Sequence, residues 1–161
     1  MPKPILFLDF DGLQFDTLET IVAYVSERYG IPGTVAQYKQ SHSLEAMVRL
    51  HLPPEQAPTR IQLYGDLADN FLSSLERHRN VKPIEGSVEV IPKLAEKYSL
   101  WTITARQKVS VPVVKALVEQ YFPKCMDGVH CVWELRPGGL YTGITKEDFI
   151  KSFEGEKVAF V

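Results

Sequence analysis

Several features that mark particular protein classes are scarce in this sequence. Its 161 residues contain two cysteines, which argues against a disulfide scaffold, and 10 glycines and 11 prolines, too few for a collagen-like or low-complexity chain. The net charge of -2 supplies no field that would concentrate the chain on nucleic acid or on an anionic membrane. The apolar run at residues 5–8 is far shorter than the ~20 residues of a membrane span. We therefore expect a cytoplasmic globular chain with neither a nucleic-acid nor a membrane partner, and the sequence leaves its oligomeric state open.

The two cysteines leave a choice between a metal site and free thiols. Cys125 and Cys131 lie close together in the chain, with His130 beside the second of them. Structural zinc sites usually have four nitrogen or sulfur ligands, arranged in two or more close pairs. Because this group offers fewer ligands and cysteine is often interior, we predict buried free thiols.

The hydrophobic pattern alternates between strands and helices. Short β-rich runs predict four strands, at residues 4–9, 99–104, 128–133 and 157–161. Apolar residues at helical spacing predict three helices between them, at residues 87–97, 109–122 and 146–153. Such alternation calls for a parallel sheet with right-handed crossovers. We predict an α/β fold with a Rossmann-like parallel sheet, which binds its ligands at the carboxyl ends of the strands.

A long helical stretch interrupts this alternation after the first strand. Residues 17–82 have helical spacing, broken at Pro53 and Pro54, and contain no convincing strand. We therefore predict a core of residues 1–16 and 83–161, with residues 17–82 inserted as a small all-helical cap over the sheet edge. Four polar residues of this insert are expected to be solvated, namely His42, Arg49, His51 and Arg60.

The first strand ends in two acids. Alternate side chains of an extended segment point the same way, so Asp9 and Asp11 converge while Phe10 points into the core. Two carboxylates that lie close together repel each other unless a cation neutralises them or one of them holds a proton. Oxygen-rich sites of this kind suit Mg²⁺. Gly12 allows a tight turn that brings backbone N–H groups near an anion. An ordinary Asp-Gly turn after a strand is the alternative.

Hydrogen-bond donors and a cation are predicted at the same edge of the sheet. Thr104, at the end of the second strand, offers a hydroxyl to a phosphoryl oxygen, and a free backbone N–H lies beside it. Lys146 opens the last helix, from where it could steady the Asp9 carboxylate and a bound phosphate. The plainer alternatives are a β-branched residue that simply ends a strand and a surface lysine.

These motifs, taken in order, resemble those of the haloacid dehalogenase superfamily of phosphohydrolases. FLDFDGLQFDT is similar to the first motif of that family, LWTITAR to the second, and Lys146 in TKEDFIKSF to the third. The resemblance runs from residue 4 to residue 161 and includes a helical cap inserted after the first motif. Agreement of order, spacing and strand context makes it more specific than any single motif.

The resemblance implies a catalytic role for four residues. Asp9 would be the nucleophile that forms an aspartyl-phosphate. Asp11 would protonate the leaving group and afterwards take a proton from the attacking water. Thr104 would hold phosphoryl oxygens and Lys146 would balance their charge, with Lys151 as the reserve candidate for this lysine.

The resemblance also implies ligands. Mg²⁺ would be held by Asp9 and Asp11, and the candidates for substrate binding are Gly12, Ala105 and Arg106, of which Arg106 could instead form a surface ion pair. Because a halide leaves without a proton, the presence of Asp11 favours phosphate over halide chemistry. The implied substrate is a small phosphorylated metabolite such as a nucleotide or a sugar phosphate, and transfer to an acceptor other than water is left open.

The fourth motif of the family, one or two acids directly after the last core strand, has no counterpart after Val161. We therefore expect the C-terminal part of the core to be missing and Mg²⁺ binding to be weakened. Two functions follow. The first is an Mg-dependent phosphomonoester hydrolase, and the alternative is a catalytically impaired protein that binds a phosphate ligand or serves as an interaction module.

Overall fold

The structure is a computed structural model that describes residues 2–136, 139–142 and 144–160. Residue 161, which the sequence assigns to the last predicted strand, lies outside the described residues. Within the described part of the chain, no helix combines the length and the apolar character that a bilayer crossing requires.

A five-stranded sheet forms the centre of the fold. In chain order the strands are β1 (Ile5–Asp9), β2 (Phe15–Asp16), β3 (Lys82–Pro83), β4 (Ser99–Gln107), β5 (Met126–Arg136), β6 (Gly139–Thr142) and β7 (Lys157–Phe160). The sheet has the order β6-β5-β4-β1-β7, in which β5, β4, β1 and β7 run parallel and β6 is antiparallel to β5. The short strands β2 and β3 form a separate antiparallel pair, which joins the two points where the chain leaves the sheet region and returns to it.

The helices begin and end at residues suited to those positions. In chain order the α-helices are α1 (Leu18–Tyr29), α2 (Val35–Ser41), α3 (Leu44–Arg49), α4 (Arg60–Leu67), α5 (Ser87–Lys97), α6 (Val111–Tyr121) and α7 (Lys146–Ser152). Thr34 and Thr59 start α2 and α4 with capping boxes, in which each hydroxyl accepts a backbone N–H from the first turn. Gly30 ends α1 in the left-handed conformation, at a φ of 62°, which glycine adopts without steric strain.

Apolar side chains pack on both faces of the sheet. Leu6 and Leu8 of β1 belong to the cluster formed with α5 and α6, whereas Phe7 faces α7, where its ring lies 5.3 Å from that of Phe153. A strand that is buried on both faces has a continuous apolar sequence, and residues 5–8 have such a sequence. Helices α1 to α4 lie between β2 and β3 and enclose a cluster of their own, which includes Val25, Met47, Leu63 and Phe71. We refer to residues 17–82 as the helical segment, and their status as a separate cap stays a prediction.

The predicted α/β fold with a mostly parallel sheet is confirmed. Helix α5 has the predicted bounds. Strand β4 is longer than predicted because its pairing with β5 continues to Gln107, and β5 is longer because Met126 pairs with β4 and residues 134–136 pair with β6. The sequence pattern does not predict β6, which gains its ladder hydrogen bonds only by pairing with β5. Helix α6 begins two residues later than predicted, because Lys108–Ser110 form a 3₁₀ turn.

Candidate functional site

The carboxyl ends of β1 and β4 lie side by side, with Asp9 opposite Ile103 in the parallel register. This arrangement brings Asp9, Asp11 and Thr104 to one edge of the sheet, where open parallel sheets bind ligands. The Thr104 hydroxyl donates a hydrogen bond to Asp11 Oδ2 at 3.1 Å. Lys146, the first residue of α7, reaches the same edge and donates through Nζ to Asp9 Oδ2 at 2.7 Å. The structure therefore brings together the four residues that the resemblance implies for catalysis.

Asp9 is accessible at its carboxylate and anchored at its main chain. Its side chain is 30% exposed, and its Oδ1 accepts the backbone N–H of Phe10 at 2.8 Å. Gln14 is fully buried and donates through Nε2 to the Asp9 carbonyl at 3.1 Å. The hydroxyl of Thr102, on the neighbouring strand, donates to Gln14 Oε1 at 3.2 Å. The end of β1 is thus tied to β4 beneath a carboxylate that remains open to a ligand.

Asp11 is held much more tightly than Asp9. Arg106 donates through Nε to both carboxylate oxygens, at 3.1 and 3.0 Å, and through Nη2 to Oδ1 at 2.9 Å. The hydroxyls of Thr17 and Thr104 also donate to this carboxylate. Burial by itself would raise the pKa of Asp11, but the charge and hydrogen bonds of Arg106, with those of the two threonines, together hold this pKa below its ordinary value. The carboxyl group of Asp11 is therefore ionised in this arrangement.

Arg106 is itself buried and is supported from the helical segment. Its Nη1 donates to His78 Nε2 at 2.9 Å, and its guanidinium carbon lies 4.8 Å from the centre of the Phe10 ring. His78 Nδ1 lies 2.8 Å from the carbonyl oxygen of Ser74, which can only accept, so the ring proton is on Nδ1 and Nε2 accepts from Arg106. Burial and the nearby charge of Arg106 lower the pKa of His78 to about 4. A neutral histidine thus links the helical segment to the ion pair of Asp11.

The three candidate substrate-binding residues differ in what they can offer to a ligand. The backbone N–H of Gly12 donates to the Phe15 carbonyl at 2.9 Å, so the tight turn uses this donor and does not offer it to an anion. Arg106 is neither solvated nor in a surface ion pair, because its side chain is buried against Asp11. Ala105 is exposed and lines a cavity next to Asp11.

The two candidate lysines are distinguished by their partners. Lys146 contacts Asp9, whereas Lys151 lies one turn further along α7 and forms an exposed ion pair with Glu147. The contact with Asp9 favours Lys146 as the lysine of the site.

A cavity of about 520 Å³ lies between the helical segment and the carboxyl ends of β4 and β5. Two of the residues expected to be solvated, His42 and Arg60, line this cavity. The other two have partners elsewhere: Arg49 pairs with Glu45 on α3, and His51 hydrogen-bonds to Gln37. The site therefore continues from the sheet edge into the helical segment.

Sequence reasoning did not assign a role to three residues that hold the two carboxylates in place. Gln14 and Thr17 lie inside the first motif, FLDFDGLQFDT, at positions where a buried polar side chain has no periodic signal. His78 lies in the helical segment, 28 residues before Arg106 in the chain, and its contact with that residue exists only in the tertiary structure. Only the position of Gln14 and Thr17 inside the motif could have drawn attention to them.

The residues present fit a magnesium ion at Asp9 and leave little room for one at Asp11. Mg²⁺ is commonly held by one or two carboxylates, with waters and substrate phosphate oxygens completing its octahedron. In the part of the chain that the structure describes, each oxygen of the Asp9 carboxylate accepts one hydrogen bond, from the Phe10 N–H or from Lys146. The two oxygens of Asp11 accept five between them, from Arg106, Thr17 and Thr104. Among the described residues, no three side chains of His, Cys, Asp or Glu converge into a metal-binding group.

The cysteines are free thiols, as predicted, although only Cys131 is fully buried and Cys125 is half-buried. Burial raises the pKa of the Cys131 thiol to about 12, so this side chain is protonated and acts as a small apolar group in the core.

Comparisons with known proteins identify the fold. No protein-family model and no curated protein matches the chain, whereas solved structures do. It is similar to a haloacid dehalogenase-like hydrolase from Streptococcus pneumoniae, with a TM-score of 0.56 and 15% identity over 85% of this chain and 63% of that one. It is also similar to a hydrolase of the same superfamily from Geobacter sulfurreducens, with a TM-score of 0.56 and 18% identity over 80% of this chain and 62% of that one. The chain thus spans less than two thirds of the length of either structure, and over that span it has the fold of the haloacid dehalogenase-like hydrolases.

Proposed function

We propose that this chain is a phosphomonoester hydrolase in which Asp9 attacks phosphorus. The observation that carries the proposal is the meeting of Asp9, Asp11, Thr104 and Lys146 at one sheet edge, although 137 residues separate Asp9 from Lys146. Hydrolases that share the fold support the same reaction class. The implied substrate, a small phosphorylated metabolite such as a nucleotide or a sugar phosphate, remains a prediction.

Asp9 is suited to the role of nucleophile. Its carboxylate is accessible, and Gln14 fixes the main chain from which it projects. In the first step an oxygen of Asp9 bonds to phosphorus as the ester oxygen departs, which gives an aspartyl-phosphate. In the second step water attacks the same phosphorus and releases phosphate and free Asp9. Holding the nucleophile in one orientation removes much of the entropic barrier to the attack.

Asp11 is the residue we assign to proton transfer. It would protonate the departing ester oxygen in the first step and take a proton from water in the second. In the described arrangement Arg106 pairs with the Asp11 carboxylate, so this pair must loosen before Asp11 can carry a proton to the leaving group. The second step requires no such change, because an ionised carboxylate is the form that accepts a proton.

Thr104 and Lys146 would stabilise the phosphoryl group. The Lys146 ammonium group, at the start of α7, lies beside Asp9 and can donate to phosphoryl oxygens as charge develops there. The Thr104 hydroxyl is fully buried and donates to Asp11, so it must exchange that hydrogen bond for one to a phosphoryl oxygen before it can play the same part. Asp9 would hold Mg²⁺, which when bound neutralises negative charge on the phosphate. Ala105 and Arg106 remain proposed contacts to substrate.

Phosphate release from a panel of monoesters, measured with and without Mg²⁺, tests this proposal. We expect metal-dependent turnover that Asp9→Asn lowers by at least about 10³-fold, because the amide is a very poor nucleophile. Asp69→Asn is the matched control, since Asp69 is exposed in the helical segment and should leave turnover unchanged.

Two results would contradict the proposal. Equal turnover by wild type and Asp9→Asn would remove Asp9 from the reaction. Absence of turnover with every ester, together with calorimetric binding of inorganic phosphate, would favour the alternative of a phosphate-binding module.

A further inference from the structure

The cavity beside Asp11 adjoins the proposed reaction centre. It is lined at one end by Asp11, Thr17 and Arg106, and it extends from there between α1, α4 and the carboxyl ends of β4 and β5. A phosphate group held at Asp9 would therefore place its ester substituent next to or inside this space. Its volume of about 520 Å³ lies within the range of cavities that enclose whole small molecules.

Most of the wall of this cavity is apolar. The apolar wall comprises Leu18, Ile21, Leu44, Tyr64, Leu67 and Leu72. Leu44, Leu67 and Leu72 are buried, and all six belong to the hydrophobic cluster of the helical segment or pack against it. This wall offers dispersion contacts to whatever fills the cavity. Hydrogen bonds would come mainly from the rest of the described lining, which includes Tyr38, His42, Ser43 and Gln107.

The charged residues of the lining do not change this character. Asp11 and Arg106 neutralise each other in their ion pair. Asp16 and Arg60 are exposed to solvent, and the guanidinium group of Arg60 lies over the Tyr64 ring, 5.6 Å from its centre. A small polar substituent would leave the apolar wall in contact with water, whereas an apolar substituent would displace that water.

From this juxtaposition we infer that the chain selects phosphomonoesters with an apolar substituent, such as a straight alkyl chain, over small polar esters. The inference rests on the proposed function and specifies its substrate class. Each methylene buried against the wall should raise affinity by about fourfold. The gain should continue along a homologous series until the cavity is filled.

Two parallel series test the inference. The first is kcat/KM for n-alkyl phosphates from ethyl to hexyl. The second is the calorimetric affinity of the corresponding n-alkylphosphonates, in which a carbon–phosphorus bond replaces the ester linkage and no hydrolysis occurs. We expect both to rise by about fourfold per methylene over the first members.

A matched pair of variants locates the effect. Ile21→Asn places a polar group in the cavity wall and should flatten the rise along both series. Ile61→Asn makes the same change at a residue that is 49% exposed and outside the cavity lining, and it should leave the rise intact. The hexyl-to-ethyl ratio is taken within each variant, so partial loss of folded protein does not affect it.

The outcomes separate the inference from the proposed function. Hydrolysis that is equally fast from ethyl to hexyl would overturn the inference and leave the phosphatase proposal standing. Phosphonate affinity that rises with chain length while no ester is hydrolysed would support the apolar site and contradict the phosphatase proposal. Absence of phosphonate binding, or an equal loss of slope in Ile21→Asn and Ile61→Asn, would overturn the inference.

Discussion

Asp9 and Asp11 are two residues apart in the chain, yet their carboxylates have very different surroundings. Asp9 projects from a strand end that buried groups anchor, and its carboxylate remains open beside one lysine from a short helix. Asp11 lies against a buried arginine, which a histidine of the helical segment supports in turn. The difference indicates a division of roles, in which the carboxylate with fewer hydrogen bonds is available for bond formation and the other is kept charged and fixed in position.

Removal of the guanidinium group beside Asp11 should have the largest effect on stability. We expect Arg106→Leu to lower the free energy of unfolding in urea by about 3 kcal/mol, because it leaves a half-buried carboxylate without its partner. Arg79→Leu is the control, since Arg79 forms an exposed pair with Glu76 and its loss should change stability by less than about 1 kcal/mol. Similar losses in the two variants would contradict the contrast between the buried pair and a surface pair.

The hydrogen bond between neutral His78 and Arg106 should make the free energy of unfolding depend on pH. The pKa of His78 is about 4 in the folded protein and 6.5 as its ordinary value, so between these values the unfolded chain binds more protons. The free energy of unfolding should therefore fall as pH decreases from 6.5 to 4, by at most about 3 kcal/mol from this group. Below pH 4 the contribution is lost and no further change comes from His78.

Comparison with His78→Phe isolates this contribution from that of the carboxylates. Phenylalanine keeps a ring against Phe71, whose centre lies 4.5 Å from that of His78, and it has no proton to gain. The pH dependence of chemical unfolding between 6.5 and 4 should be weaker in this variant than in wild type. His51→Gln changes a histidine elsewhere in the helical segment and serves as the control. Equal pH dependence of stability in wild type and His78→Phe would rule out His78 as its cause.

The anchor beneath Asp9 should contribute less than the ion pair of Asp11. Gln14→Leu removes the hydrogen bond to the Asp9 carbonyl, which is partly buried, and the one from the Thr102 hydroxyl, which is buried. Leaving these groups without partners should lower the free energy of unfolding by about 2 kcal/mol, measured in urea. Gln120→Leu on the exposed face of α6 is the control and should change stability little. Stability unchanged in Gln14→Leu would mean that the end of β1 does not depend on this anchor.

The smallest effect on stability is expected at Lys146, the half-buried partner of Asp9. Lys146→Met should change the free energy of unfolding by less than about 1 kcal/mol, because both side chains of the pair reach solvent. Turnover should nevertheless fall, since the ammonium group stands beside the proposed nucleophile. Lys151→Met, in the exposed pair with Glu147, should affect neither quantity. A loss of stability as large as that of Arg106→Leu would contradict the contrast between the two carboxylates.

Sequence patterning predicted the elements that depend on local properties. The apolar run before Asp9 predicted β1, and helical spacing predicted α5 with its observed bounds. The sequence pattern does not predict β6 because its hydrogen bonds come from β5. The extra length of β4 likewise arises from pairing with β5, and that of β5 from pairing with β4 at one end and with β6 at the other. Local propensity carries no information about a partner strand that a later part of the chain supplies.

By itself the sequence determined the α/β class and the order of the motif residues. Both depend on local features, namely strand and helix periodicity and the position of Asp9, Asp11 and Thr104 after their strands. Only the tertiary structure decided which partner each side chain has. It paired Arg106 with Asp11 and brought His78 from the helical segment to Arg106. It also decided between the two interpretations that the sequence left open for Lys146, because the ammonium group contacts Asp9. The physical reason is that a charged side chain loses its hydration when it is buried and must gain a partner within the protein. Which group becomes that partner depends on the distant elements that packing brings within hydrogen-bond distance.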